Sequence, residues 1–264
     1  MNDLSFRRPS NGDQPWHLAE GEILVGWLDL QPFQDNWSRF LPVLSADEQA
    51  RAARYTFERS RRQFVSSRVG LRVFLGQILG RSPAAVQFSY GTHGKPALIG
   101  TGDDLLGISL SHTGDTAVYV ASWDRELGID IEVAKPRQNA GGLVERFFSS
   151  AEQAEWRDTL PEHQLAAFYQ GWTGKEAYLK ARGTGLNFPL SQFSVRLSPL
   201  APPALLEVEG EPHEVRRWSM NVLTADSGVA GTLAFDRAPG SMRQWRLNRE
   251  LIETAVEESL RLWG

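Results

Sequence analysis

The chain has 264 residues, 41% of them apolar and 23% charged, with a formal net charge of −4. This length suits one large domain or two smaller ones, and the composition is that of an ordinary globular fold. The absence of cysteine excludes disulfides, thiolate metal sites and cysteine nucleophiles. No apolar run approaches the roughly 20 residues of a membrane helix, the polar first twenty residues lack a signal-peptide core, and a cytoplasmic protein is expected.

Residues 1–20 read as a loosely held tail, and residues 21–30 as a first strand with Ile23, Val25 and Trp27 on one face. Residues 36–44 are amphipathic. Ser45, followed three residues later by Glu48, is a capping-type helix start, and that helix carries Arg51 and Arg54. Between Arg51 and Arg72 stand seven arginines and one acid, Glu58. A helix from about Ser60 has Phe64, Leu71, Phe74, Leu75 and Ile78 as its buried stripe. Arg61, Arg68 and Arg72 then share another face. That face is either solvated or a phosphate-binding surface, because guanidinium forks match phosphate geometry.

Residues 82–90 lead into Gly91-Thr92-His93-Gly94-Lys95-Pro96, a turn where Gly94 permits close approach and Pro96 fixes the backbone. Two strands, 106–111 and 116–122, are joined by His112-Thr113-Gly114-Asp115. Gly128-Ile129-Asp130-Ile131-Glu132 is a short strand with Ile129 and Ile131 facing a core. Asp130 and Glu132 then share the opposite face, about 6–7 Å apart at their bases, close enough to share one hard cation. The plainer reading is an edge strand with a solvated face. Residues 146–152, Arg-Phe-Phe-Ser-Ser-Ala-Glu, read as a helix end and a new cap. Residues 162–182 form a long helix with Glu176 and Lys180 on one face. Gly171 and Gly174 inside it cost about 1 kcal/mol each relative to alanine, which implies close packing. Gly183 and Gly185 end it. Strands at 191–197, 205–210, 214–223 and 228–235 and a closing helix at 248–263 complete the chain. No sequence repeat is evident, yet each half offers strands and one long helix.

The blocks at 128–132 and 172–186 resemble the signature of the 4′-phosphopantetheinyl transferases: Gly-(Ile/Val)-Asp-x-Glu, then Trp-(Ser/Thr)-x-Lys-Glu-(Ala/Ser)-aromatic-x-Lys-x-x-Gly-x-Gly-Leu. Both are matched without a gap. The Gly-Lys-Pro turn, the Arg-Phe-Phe-Ser-x-x-Glu block and Ser111-His112-Thr113, where the family has Ser-His-Ser, extend the resemblance over roughly residues 45–197. It implies the long two-half, surfactin-synthetase-activating class. The fold implied is α/β (α+β), a pseudo-dimer of two similar halves, each a small sheet on a long helix, with the active site between them. The halves would be 1–126, carrying coenzyme A adenine and phosphate contacts, and 127–264, carrying the metal site and catalytic helix.

The implied reaction moves the 4′-phosphopantetheine arm of coenzyme A onto a serine of an apo acyl, peptidyl or aryl carrier protein and releases 3′,5′-ADP. Glu176 and Lys180 are the implied catalytic pair. Asp130, Glu132 and Glu176 are the implied ligands of Mg²⁺, or Mn²⁺ in its place; with no cysteine and no histidine cluster, zinc does not suit the donor set. Arg51, Arg62, Lys95, Pro96, Ser111, His112, Asp130 and Lys180 are the implied coenzyme A contacts, with Arg54 or Arg61 as alternatives among the arginines. The arginines of 61–72 are further candidates to steer an acidic carrier. A monomer is expected, with neither nucleic acid nor membrane as partner. A non-catalytic coenzyme A- or carrier-binding module and a Mg²⁺-dependent diphosphate hydrolase remain alternative readings of the same residues.

Overall fold

The computed structural model describes residues 16–91, 94–100, 102, 105–223 and 228–263. Most of the expected loose tail, and Thr92 and His93 of the expected turn, lie outside the described residues. The chain runs β1 (Glu22–Asp29), α1 (Ala46–Ala53), α2 (Glu58–Leu79), β2 (Phe88–Tyr90), β3 (Pro96–Leu98), β4 (Leu106–Thr113) and β5 (Thr116–Trp123). It continues with β6 (Leu127–Val133), α3 (Ala140–Phe147), α4 (Ser150–Asp158), α5 (Pro161–Arg182), β7 (Phe193–Val195) and β8 (Leu205–Val208). Then come α6 (Glu214–Arg217), β9 (Trp218–Val222), β10 (Val229–Asp236), β11 (Ser241–Leu247) and α7 (Arg249–Trp263).

The two halves repeat one plan. The strand order β1-β5-β4 in the first sheet is matched by β6-β10-β9 in the second, and hairpin β2-β3 by β7-β8. The long helices α2 and α5 have 22 residues each. Each has a short helix before it, opened by a serine with a glutamate three residues on: Ser45 N–H donates to Glu48 Oε2 at 3.1 Å, and Ser149 N–H to Glu152 Oε2 at 2.7 Å. The repeat is therefore one of structure, carried by capping chemistry and apolar pattern rather than by identity.

Apolar alternation decides how the halves meet. On β1, Leu24 and Leu28 enter a core with Phe74, Leu71 and Val69 of α2, while Ile23, Val25 and Trp27 enter a second core. That second core contains Ile129 and Ile131 of β6 and Leu233 and Phe235 of β10, so the two sheets pack face to face. A third core gathers α5, β7 and β9 around Phe168, Tyr178, Phe193 and Trp218. β1 is buried on both faces because it lies between α2 and the second sheet.

The inner edges of the two sheets are joined by side chains. Ile129, Ile131 and Val133 N–H donate to the hydroxyls of Ser109, Ser111 and Thr113 at 3.2, 3.3 and 3.3 Å. Every second residue of β4 thus supplies the acceptor that a neighbouring strand's carbonyl would supply.

The end of the chain departs from expectation. Residues 241–263, expected with the second half, belong to the first: β11 pairs parallel with β1 from Glu22↔Ser241 to Leu28↔Leu247. Trp245, Leu247, Ile252, Ala255 and Val256 join the α2 core. β11 carries polar residues on both faces and gave no strand signal; its Gln244 accepts the Trp27 indole N–H at 2.7 Å, and its Arg243 pairs with Glu22 of β1. The strand expected over 214–223 begins only at Trp218. Before it, buried Glu214 accepts the Tyr178 hydroxyl at 2.9 Å and the Trp218 indole at 2.8 Å, which holds a helical turn there.

Candidate active site

The site forms where β6 lies under α5. Gly128 allows this approach, because a Cβ there would stand 2.0 Å from Ala177 O and 2.2 Å from Ala181 N. With α5 seated this closely, Lys180 Nζ donates to Ile129 O at 3.1 Å and to Asp130 Oδ1 at 2.7 Å. Ser111 donates to the same Asp130 Oδ1 at 2.9 Å, and Thr113 to Glu132 Oε2 at 3.3 Å. The hydroxyls that join the sheets therefore also orient the two carboxylates of the central strand. Asp130 is buried, and its second oxygen, Oδ2, has no hydrogen-bond partner.

Glu176 is half-buried one turn before Lys180. Burial raises the Glu176 pKa, with the charge of Asp130 adding to the effect and Lys180 opposing it. Glu132 is raised for the same reasons, burial first and Asp130 next. Three carboxylates thus feel one another with Lys180 as their one close ion-pair partner among the described residues, Arg137 acting on Glu132 from further off, and one buried oxygen stays unpartnered. A hard cation ligated by oxygen suits these residues. Their donor atoms do not close into a tight cage: among the described residues, three acidic or histidine donors come within 4.8 Å of one another only at Glu211, His213 and Glu214. Those last carboxylates are already engaged, Glu211 by Arg182 and Glu214 by Tyr178, Trp218 and Arg217.

The cleft is made of adjoining cavities. One of about 460 Å³ is lined by Lys95, Pro96, Ser109, Leu179, Glu176 and Lys180. A second, of about 330 Å³, shares Pro96 and Lys180 and adds Arg51, Ser111, His112, Asp130 and Glu132. A third, of about 700 Å³, continues past Arg51 to Arg54, Tyr55 and Tyr90. Lys95 Nζ donates to Leu127 O at 3.0 Å and to Ala181 O at 3.1 Å, so it ties the second half's first strand to the C-terminal end of α5. Burial lowers its pKa to about 8. His112 stands exposed at the cleft wall; desolvation by its surroundings lowers its pKa, and Lys180 adds to the effect.

The arginines divide. Arg51 faces the cleft, its guanidinium 5.3 Å from the Phe64 ring centroid. Arg62 does not line these cavities; it pairs with Glu58 at 2.6 Å on the outer surface of α2. Arg68 and Arg72, expected as part of a solvent-facing surface that steers a carrier, are buried and grip Glu48 at 2.7 Å each. That overturns the docking role for them: a charge folded into an internal ion pair presents no surface. Glu48, read as a cap alone, is thus also the anchor of α1 on α2. In the second half Glu152 does the same work, accepting from Lys175 Nζ at 2.7 Å and from Val195 N–H at 2.8 Å. Lys175 lies within the motif, but its buried role was not apparent from spacing.

Comparison with known proteins fits this arrangement. Residues 126–234 match the 4′-phosphopantetheinyl transferase superfamily, and residues 28–124 match a 4′-phosphopantetheinyl transferase N-terminal family. The chain is 35% identical over 221 residues to 4′-phosphopantetheinyl transferase HetI of Nostoc sp., covering 82% of this chain and 89% of that one. The chain belongs to the 4′-phosphopantetheinyl transferase family. It is an enzyme of the long two-domain type. It is also 30% identical over 159 residues to a 4′-phosphopantetheinyl transferase of Bacillus subtilis, 60% of this chain and 69% of the relative. AcpT of Salmonella typhi, another 4′-phosphopantetheinyl transferase, is 45% identical over 112 residues, 42% of this chain and 56% of its own. Among the described residues of this transferase, no helix is long and apolar enough to cross a membrane.

Proposed function

We propose that the enzyme transfers the 4′-phosphopantetheine arm of coenzyme A to a serine of an apo carrier protein and releases 3′,5′-ADP. The observation that carries the reading is the floor of the cleft. There Asp130, Glu132, Glu176 and Lys180 converge from β6 and α5, and Asp130 Oδ2 is buried without a partner. Asp130, Glu132 and Glu176 are the residues that would hold Mg²⁺, or Mn²⁺ in its place; bound there, it supplies stabilisation of negative charge on the diphosphate.

The chain's own groups have separate tasks. Arg51 and Lys95 bring positive charge to the phosphates, and Ser111 and His112 line the wall beside them. Lys180 sets its ammonium next to Asp130, where the diphosphate would lie. The carrier serine oxygen bonds to the β-phosphorus while the phosphorus–oxygen bond to 3′,5′-ADP breaks. The serine proton passes to Glu176, whose burial makes it a better acceptor than a surface glutamate. A cytoplasmic site of action accords with the cysteine-free sequence.

The test is transfer of a labelled pantetheine arm to apo carrier proteins with Mg²⁺ present. Labelled carrier is expected, in step with ADP. ADP released without labelled carrier would make the enzyme a hydrolase, and neither product would make it a binding module.

A further inference from the structure

One face of α5 carries Tyr169, Thr173, Glu176 and Lys180, at steps of four, three and four residues. The first and last of them hold the helix to the strand of carboxylates. The Tyr169 hydroxyl donates to Lys135 O at 2.9 Å just beyond β6, and Lys180 Nζ donates to Ile129 O and Asp130 Oδ1 within it. Thr173 reaches a different strand. Its hydroxyl donates to Tyr169 O at 2.8 Å, which spends its one proton, so the Thr232 hydroxyl of β10 is the donor in the 2.8 Å bond between the two threonines. Both threonines are buried. Thr232 stands opposite Asp130 in the antiparallel register of β10 and β6, with the two side-chain bases about 5 Å apart on the face under α5.

The rest of this contact is smooth. Gly128, Ala230 and Ala234 of the sheet and Ala177 and Ala181 of the helix line it. Small side chains raise low ridges, which admit a close approach but resist sliding little. The long, flexible chain of Lys180 can follow a displaced helix; two threonines cannot. A slide by one residue's rise, about 1.5 Å, would break the hydroxyl pair and carry Glu176 the same distance along β6. We propose that Thr232 is a positioning residue: through Thr173 it fixes α5 along the sheet, so that Glu176 and Lys180 stand over Asp130. Thr232 lies outside both signature blocks. The effect on catalysis rests on the transferase reading; the effect on the carboxylates does not.

Thr232→Val keeps the side-chain shape, removes the donor and strands no proton, since Thr173 still donates to Tyr169 O. Thr232→Ser keeps the hydroxyl. The full chain and each variant are compared in kcat for transfer, in coenzyme A affinity by calorimetry, and in Mn²⁺ affinity by electron paramagnetic resonance. In Thr232→Val, kcat and Mn²⁺ affinity should each fall about tenfold, as for displaced reacting groups and loosened metal ligands. Coenzyme A affinity should change by less than about twofold, and Thr232→Ser should match the parent within about twofold in all three. Thr173→Val breaks the same bond from the helix side, so its losses should not add to those of Thr232→Val in the double variant. Parental values in Thr232→Val, failure of that variant to fold, an equal loss in Thr232→Ser, or additive losses overturn the positioning role. So does a fall in kcat that leaves Mn²⁺ affinity unchanged or that coenzyme A affinity follows in step. A parent chain that loads no carrier, yet loses Mn²⁺ affinity in Thr232→Val, sinks the transferase reading and leaves the positioning role standing. A parent chain that neither transfers nor binds Mn²⁺ overturns both.

Discussion

Glu176 occupies the position where the chemistry is most exposed to test. It is half-buried, and its pKa is raised first by burial and then by Asp130. Glu176→Gln keeps the shape of the side chain and the helix while removing the proposed proton acceptor. We expect kcat to fall by about 10²-fold or more, with coenzyme A affinity changed by less than about tenfold, because the donor is held at several other points. A variant keeping roughly a tenth of wild-type turnover at saturating Mg²⁺ would move the base elsewhere. Lys95 gives a pH dependence of definite sign. Burial lowers its pKa to about 8 in the free protein, so the ammonium is nearly complete at neutral pH and below, half lost at pH 8, and gone as pH rises beyond that value. The Lys95 contribution to coenzyme A binding should be present at neutral pH and weaken as pH rises through about 8, and Lys95→Met should abolish that alkaline loss. A profile in Lys95→Met parallel to that of the parent would remove Lys95 from the donor site. At this scale the sequence was readable where backbone geometry fixes direction. Alternation on a strand sends Asp130 and Glu132 one way, and a four-residue step sets Glu176 beside Lys180. It was unreadable where direction depends on a distant partner: Glu58 takes Arg62 out of the cleft, and Glu48 takes Arg68 and Arg72 into the core.

At the scale of elements, the capping boxes were visible in sequence and their second purpose was not. Ser149 and Glu152 open α4 as the spacing suggests, but Glu152 also receives Lys175 from α5 and the backbone N–H of Val195 from β7. Three elements are thereby fastened at one carboxylate. Lys175 is wholly buried, donates to Leu190 O at 2.7 Å and Phe193 O at 2.6 Å, and lies 4.3 Å from the Phe193 ring centroid. Removing one partner leaves the other charge buried and alone. Lys175→Met should therefore cost about 3–5 kcal/mol of stability in denaturant titration. Adding Glu152→Gln should recover part of that loss, since the stranded charge is gone. A double variant as unstable as the sum of the two singles would mean that the pair acts through its separate hydrogen bonds and not through its charges. Gly171 shows the same dependence on neighbours: a Cβ there would stand 2.4 Å from Leu197 and 2.7 Å from Phe148, the close packing that its helix-breaking cost implied.

For the whole molecule, the two-half plan was anticipated from two long helices and two families of strands, whereas the return of the chain to its first half was not. β11 has no apolar alternation because its neighbours supply polar partners, Trp27 for Gln244 and Glu22 for Arg243, and such pairing exists only once the sheet is assembled. The consequence is that β1 and the inner edges β4 and β6 are all covered, while β11 and β9 remain the outer strands of the two sheets among the described residues. β11 covers one side of β1, and the inner edges of both sheets cover each other through Ser109, Ser111 and Thr113. A sheet edge covered within the chain has no need of a second copy. The candidate site likewise draws on both halves of one chain, its cavities lined by Arg51, Lys95 and His112 from the first and Asp130, Glu132 and Glu176 from the second. The working enzyme should therefore be a monomer, with a sedimentation mass near the chain's 29.5 kDa and a specific activity that stays constant on dilution. A larger species whose specific activity falls as it dissociates would show that the chain completes its site only with a partner. The hydroxyl ladder would then be a junction within each copy rather than the feature that makes one copy sufficient.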